Sequence, residues 1–79
     1  MTSAQMRAAR AMLDWSQMKL AEESGVSVET IKRLERMTGS LEATKVVTLN
    51  ALKNALVAGG VEFTNGDEPG VKLRAKRKR

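Results

Sequence analysis

The stretch of sequence that decides the fold is residues 17–36, QMKLAEESGVSVETIKRLER. A serine, one of the residue types preferred at helix N-caps, stands before each of two short amphipathic segments. The spacing predicts helices over 17–24 and 28–36. Gly25 offers the positive φ that commonly ends a helix. The stretch therefore predicts two short helices joined by a tight turn.

These two helices carry the residue types that a close crossing requires. Leu20 and Ala21 stand where the first helix meets the second, and alanine is small enough for a close approach. Ile31 and Leu34 lie three residues apart on the second helix and are expected in the core. Together these positions predict a helix-turn-helix.

A helix is predicted before the motif. Thr2 and Gln5 have the spacing of a capping box, and the helix continues to about Leu13. Its inward stripe, at positions i, i+3, i+4 and i+7, consists of Met6, Ala9, Arg10 and Leu13. Because an unpaired buried charge costs several kcal/mol, Arg10 needs an acidic partner.

After the motif we expect a loop over 37–44 and a fourth helix from about Lys45 to Ala58, ended by two glycines. Its inward residues are predicted to be Val46, Leu49, Leu52 and Leu56. Apolar and polar residues alternate at 61–63 and 71–73 around a turn-rich segment. This pattern predicts either a short β-hairpin or two strands that pair across a dimer.

The composition excludes several classes of function. The 79 residues form one domain near the lower size limit for a stable core. Without cysteine or histidine there is no disulfide, no Ser-His-Asp arrangement and no zinc site. We predict a protein that is not an enzyme and has no catalytic residues, metal or cofactor. No stretch approaches a membrane span and no signal peptide is recognisable, so a cytoplasmic, nucleoid-associated protein is expected.

The positive charge is concentrated at one end of the chain. The net charge is +5, yet residues 1–70 contain eight Lys and Arg against nine Asp and Glu. Residues 71–79 contain six Lys and Arg and no acidic residue. The tail at 75–79 is predicted to be disordered unless bound. The tail has three interpretations: an arm that adds phosphate contacts, a solubilising end, or a segment left by cloning. We favour the arm.

The sequence resembles the Cro/lambda-repressor-like (XRE-type) helix-turn-helix family over roughly residues 5–58. The resemblance rests on Arg10, the run Trp15-Ser16-Gln17-Met18-Lys19-Leu20-Ala21, Gly25-Val26-Ser27 and Ile31-Lys32-Arg33-Leu34-Glu35. Residues 60–63 and 70–73 look like the ending of short single-domain bacterial regulators of this type.

The resemblance implies an all-α bundle of four or five helices with a short C-terminal strand pair or hairpin. Its third helix is expected to lie in the major groove. We divide the chain into a helix-turn-helix DNA-binding domain at 1–60 with its motif at 17–36, a hairpin or dimerisation segment at 61–74, and the basic tail.

Two roles follow from the family pattern. Gln17 corresponds to the residue that anchors to phosphate and buttresses base contacts. Glu35 corresponds to the partner of Arg10, so an ion pair is expected between the first and third helices. The predicted DNA contacts are Ser16, Gln17, Lys19, Ser27, Val28, Glu29, Thr30, Lys32, Arg33, Arg36 and Lys45.

Side-chain chemistry divides these contacts. Arg33 can donate to guanine O6 and N7, Glu29 can accept from cytosine N4, and Val28 can pack on a thymine methyl. Three other cations are better suited to phosphates, which position the protein without specifying sequence: Lys32, Arg36 and Lys45. The alternative for Glu29 and Arg33 is an i, i+4 pair on a solvated face.

The sequence therefore predicts sequence-specific binding of double-stranded DNA by a small prokaryotic or phage-type transcriptional regulator. One recognition helix reads few base pairs, so a homodimer on a palindrome is expected. One alternative is a protein-interaction module, such as the antitoxin of a toxin–antitoxin pair, with a protein partner. The other is a nonspecific nucleic-acid binder driven by the tail. The operator, the target genes and the sign of regulation are not encoded in any recognisable pattern.

Overall fold

The computed structural model describes residues 1–37, 41, 44–64 and 70–74. Over these residues the chain forms four helices and one antiparallel pair of strands. The elements are α1 Ser3–Met12, α2 Gln17–Ser24, α3 Val28–Arg36, α4 Val46–Gly59, β1 Val61–Thr64 and β2 Gly70–Leu73. The predicted helical bundle is confirmed. The predicted strand pair is present as a hairpin, so the all-α label is not exact, and the described residues contain four helices rather than five.

Local capping fixes where the first three helices begin. Thr2 and Gln5 form the predicted capping box at α1. The hydroxyl of Ser16 accepts from the Lys19 N–H at 3.0 Å and begins α2. Ser27 caps α3 in the same way. These bonds satisfy amide groups that a helix leaves without intrahelical partners.

The core lies where the four helices meet the first strand. Its buried apolar residues are Met6, Ala9, Leu20, Ile31, Leu34, Leu41, Leu52, Ala55, Leu56 and Val61. Leu41 was not expected there, because it falls in a segment predicted as loop. Its N–H donates to the Met1 carbonyl at 3.1 Å, which ties this point of the chain to the start of α1.

The prediction that Val46 faces inward is wrong, since its side chain is 69% exposed. Leu52 and Leu56 are fully buried, and Leu49 packs against the core. At about 100° per residue, Val46 lies roughly 120° around the helix from Leu52. It therefore falls outside the buried face even though its residue type is suited to a core.

The two strands pair within one chain rather than leaving a partner chain to supply the pairing. Val61 lies opposite Leu73, and Phe63 opposite Val71, so these four residues share one face of the hairpin. The hairpin packs on α1 and α4. Gln5 joins the end of β1 to the start of β2. Its amide nitrogen donates to the carbonyls at residues 64 and 70, at 3.1 and 2.9 Å.

The end of α4 packs closely against the segment between α1 and α2. A Cβ atom placed on Gly59 would lie 2.8 Å from Trp15 Cζ2 and 2.9 Å from Leu13 Cδ1. Gly59 is the last residue of α4, and the Trp15 indole packs so closely against it that a side chain would not fit. Gly60 then ends the helix with φ +121°. No helix in the described residues is long and apolar enough to cross a bilayer.

Candidate nucleic-acid interface

Helix α3 has two faces of opposite character. Ile31 and Leu34 are fully buried, as predicted, and Glu35 is buried beside them. The exposed side chains are Glu29, Lys32, Arg33 and Arg36. Because Ile31 and Leu34 face the core and Val28 is half-buried, the exposed side chains of α3 are all charged.

The first turn of α3 is organised by hydroxyl groups. The Ser27 hydroxyl accepts from the Thr30 N–H at 3.2 Å and donates to the Thr30 hydroxyl at 2.9 Å. Val28 and Thr30 are half-buried, whereas Glu29 is exposed. The cap thus leaves the Glu29 carboxylate directed away from the core. No ion pair joins Glu29 to Arg33, both of which lie in the described part of the chain.

An ion pair joins α1 to α3. Arg10 Nε lies 2.8 Å from one carboxylate oxygen of Glu35, and its Nη2 donates to the other at 3.0 Å. The same guanidinium donates to the Trp15 carbonyl at 2.9 Å. This two-point geometry is the strongest form of arginine–carboxylate contact and fixes both side chains.

Gln17, at the start of α2, completes this network. Its amide nitrogen donates to Glu35 Oε1 at 3.0 Å. Glu35 therefore connects α1, α2 and α3 through one carboxylate. A carboxamide has two N–H donors, so Gln17 keeps a second one for another acceptor.

A cavity of about 400 Å³ opens between α3 and the start of α4. Its lining residues are Thr30, Arg33, Met37, Thr44, Lys45 and Thr48. Lys45 is the N-cap of α4 and provides no side-chain hydrogen bond to that helix end. The first amides of α4 therefore lie beside two cationic side chains and three hydroxyl groups, a combination that favours an anion.

The remaining predicted contacts lie on α2. The Lys19 ammonium is 3.0 Å from the Glu23 carboxylate and 5.9 Å from the centre of the Trp15 ring. Its side chain is nonetheless about half exposed. The Ser16 hydroxyl is engaged as the N-cap of α2. The tail at 75–79 lies outside the described residues.

Sequence reasoning missed two residues that hold the C-terminal end of α3. Arg7 Nη1 donates to the Glu35 carbonyl at 2.5 Å, and the Ser3 hydroxyl donates to the Met37 carbonyl at 2.6 Å. With Arg10 they form an i, i+4, i+7 stripe on α1. The sequence pattern indicates only Arg10, because a charged residue is unusual in an apolar stripe. The other two face backbone carbonyls, which no sequence pattern displays.

Comparison with known proteins identifies the same region. A family model described as helix-turn-helix matches residues 6–51, which is more than half of the chain. The match begins within α1, includes the two helices of the motif and ends within α4. No curated protein matches the chain. In the described residues no group of three acidic side chains is placed to hold a metal ion.

Proposed function

This chain belongs to the Cro/lambda-repressor-like (XRE-type) helix-turn-helix family, and we propose that it is a transcriptional regulator that reads a specific duplex site with α3. The family is one of DNA-binding rather than enzymatic proteins. The observation that carries the proposal is the two-sided character of α3. Ile31 and Leu34 are buried in the core, and the exposed side chains of α3 are all charged, an arrangement suited to a helix that lies in a major groove.

Base readout is assigned to the outward residues of α3. The Arg33 guanidinium is suited to guanine, and the Glu29 carboxylate to cytosine N4. Val28, half-buried in the first turn, is suited to a thymine methyl. Glu29 also opposes nonspecific binding, because a carboxylate near phosphates is repelled unless it finds a donor. This mixed surface favours sequence selection over general attraction to DNA.

Phosphate contacts flank these residues on both sides. On one side Lys45 and the start of α4, which has no side-chain cap, offer positive charge and N–H donors beside the cavity, and Arg36 is exposed at the end of α3. On the other, Gln17 retains an N–H while Glu35 holds its amide in place. Lys32 is exposed on α3 itself. Contacts of this kind set the register of the protein on the duplex.

We propose further that two copies bind together through β2. The Arg74 N–H donates to the Gly60 carbonyl at 2.8 Å, so residues 60 and 74 form a hydrogen-bonded pair. Pairs alternate along an antiparallel ladder, and the backbone N–H and C=O groups of Val71 and Leu73 therefore point away from β1. They make no other hydrogen bond to the described residues. Leu73 is also 48% exposed.

An open strand edge with an exposed apolar side chain is suited to pairing with the same edge of a second copy. Such pairing would extend each two-stranded hairpin into a four-stranded sheet. Two recognition helices would then read two half-sites, which supplies the selectivity that one helix lacks. A regulator of this kind works on the nucleoid in the cytoplasm.

The proposal is tested by in vitro selection of duplex sites from a random library, with the oligomeric state of the bound protein measured on the winning sequence. A palindromic consensus bound by two copies is expected. Selection that returns no consensus would contradict sequence-specific binding and favour a nonspecific binder. Stoichiometric co-purification of another protein would favour the interaction module.

Two variants that remove one cation each distinguish base readout from phosphate contact. Arg33→Ala should weaken binding to the selected site by about 1–3 kcal/mol and relax the consensus at one position of each half-site. Lys45→Ala should weaken all duplexes alike and lower the salt slope by about 1. Deleting residues 75–79 should also flatten the slope if the tail is an arm. The consensus should survive that deletion.

Val71→Pro tests the dimer. Proline lacks the N–H that faces away from β1, so the ladder inside the hairpin keeps its bonds while the outer edge is blocked. Sedimentation should show a dimer for the original chain and a monomer for the variant. A variant that remains dimeric would overturn the assignment of this edge.

A further inference from the structure

The C-terminal end of α3 is held by side chains from α1 in addition to its C-cap, where the Met37 N–H donates to the Leu34 carbonyl at 3.2 Å. Met37, at the C-cap, has an extended conformation with φ −70° and ψ 156°. The usual helix ending instead places glycine in the left-handed region, as at Gly25 with φ 76°. The last carbonyls of any helix have no intrahelical donor and require another partner.

Two of these carbonyls receive donors from α1. Arg7 Nη1 donates to the Glu35 carbonyl at 2.5 Å, and the Ser3 hydroxyl donates to the Met37 carbonyl at 2.6 Å. Ser3 is buried, whereas Arg7 is exposed. A guanidinium at a helix C-terminus is also favoured by the helix dipole.

We infer that Arg7 and Ser3 are positioning residues that fix how far α3 projects along its own axis, and that sequence discrimination depends on them. The inference rests on the function proposed above. It differs from the role of Arg10, which grips the Glu35 side chain rather than the helix backbone. If α3 moved along its axis, the Glu35 side chain could change conformation and keep its contact with Arg10. A hydrogen bond to a backbone carbonyl has no such freedom, so it opposes the movement directly.

The size of the motion decides whether this matters. A helix rises 1.5 Å per residue, so sliding α3 by a single residue moves every outward side chain by that amount. Bidentate contacts to base edges need their atoms placed within about 0.5 Å. Phosphate contacts made by flexible lysines tolerate a shift of that size. A loosened α3 should therefore lose discrimination before it loses general affinity for DNA.

The test compares Arg7→Ala with Arg36→Ala, since each removes one exposed guanidinium and one unit of charge. Binding is measured on the site selected by the original chain and on a random duplex, across a range of salt concentrations. Arg7→Ala is expected to weaken the selected site roughly three- to tenfold. Its affinity for random duplex and its salt slope should be unchanged. Arg36→Ala should weaken both duplexes and lower the slope by about 1.

Two results would overturn the inference. Equal weakening of both duplexes by Arg7→Ala, with a lower slope, would make Arg7 a phosphate contact. Unchanged binding to both duplexes would leave it without a role in recognition. Because Arg7 is exposed, its variant is expected to fold, and thermal unfolding checks this.

Amide hydrogen exchange separates this inference from the proposed function, since it needs no DNA. Arg7→Ala and Ser3→Ala should each speed exchange at the amides of residues 35–37 and leave those of α2 unchanged. Unchanged exchange at 35–37 would overturn the holding role even if the protein selects a site. Faster exchange in a protein that selects no site would instead overturn the proposed function and retain the holding role.

Discussion

Helices α2 and α3 are neighbours of similar length that are held in place by different means. Each begins at a serine whose hydroxyl accepts an amide of the first turn. Helix α2 then ends at Gly25, whose N–H donates to the Ala21 carbonyl at 2.9 Å. Helix α3 ends without a glycine at Met37, whose N–H donates to the Leu34 carbonyl at 3.2 Å, and its end is also held by side chains of α1 that lie 25 or more residues away in the sequence.

This difference shows which helix depends on the rest of the molecule. The boundaries of α2 follow from residues within its own segment. The position of α3 depends on its contacts with α1 and on the Glu35 carboxylate, which accepts hydrogen bonds from both Arg10 and Gln17. The helix that we propose reads DNA is thus the one whose position depends on tertiary contacts. Substitutions at distant sites should consequently disturb α3 more than α2.

The largest effect is expected from Arg10→Ala. It leaves the buried Glu35 carboxylate with Gln17 as its main donor, and the unfolding free energy should fall by about 3 kcal/mol. Urea unfolding followed by circular dichroism measures the loss. A double variant, Arg10→Met with Glu35→Leu, should recover most of the stability because no charge remains buried. It should not restore DNA binding, because Gln17 loses its acceptor. Unchanged stability and binding in Arg10→Ala would contradict the tertiary hold on α3.

Gly59→Ala tests whether α2 also depends on a distant contact, through the tryptophan just before its cap. The added methyl meets the Trp15 ring at 2.8 Å and should cost about 2 kcal/mol. The emission of the single tryptophan reports the displacement. Leu13→Ala makes room beside the same methyl, so the double variant should lose less than the two single losses combined. Faster amide hydrogen exchange confined to α2 in Gly59→Ala would show that its own capping residues are not sufficient to hold it in place.

Gly25→Ala tests the local ending of α2. No atom lies within 4 Å of the added Cβ, so the cost is that of a left-handed backbone alone, about 1.5 kcal/mol. Gly25→Asn should cost less, because asparagine enters that region more readily. Chemical unfolding of the two variants checks the order. An equal loss for both would mean that φ is not the cause.

The smallest effect is expected at the two N-caps, where α2 and α3 are alike. Ser16→Ala and Ser27→Ala should each lower the unfolding free energy by about 1 kcal/mol, since each removes one cap bond. Thermal unfolding of the matched pair gives the comparison. A several-fold larger loss at Ser27 would show that the two helices differ at their beginnings as well as at their ends.

Much of the fold was predictable because it rests on local chemistry. The caps at Thr2, Ser16 and Ser27 and the turn at Gly25 are signalled by residue type and spacing. Burial was less predictable. Val46 has an apolar side chain at the wrong angle on its helix, and residue type alone does not report that angle.

The candidate site divides in the same way. The outward residues of α3 follow from its periodicity, which fixes the face opposite Ile31 and Leu34. Arg7 and Ser3 were missed because they bind backbone carbonyls, which every residue possesses and no pattern marks. The cavity beside Lys45 was missed for a related reason, since it exists only where two helices meet.

The sequence by itself determined the helices, their beginnings, the turn of the motif and the charged face of α3. These depend on hydrogen bonds and packing periods that span three to seven residues, so a local pattern contains them. Only the tertiary structure decided which carbonyls at the end of α3 receive donors from α1, and that the strands pair within one chain. These depend on groups far apart in the sequence, whose meeting is set by the shape of the core.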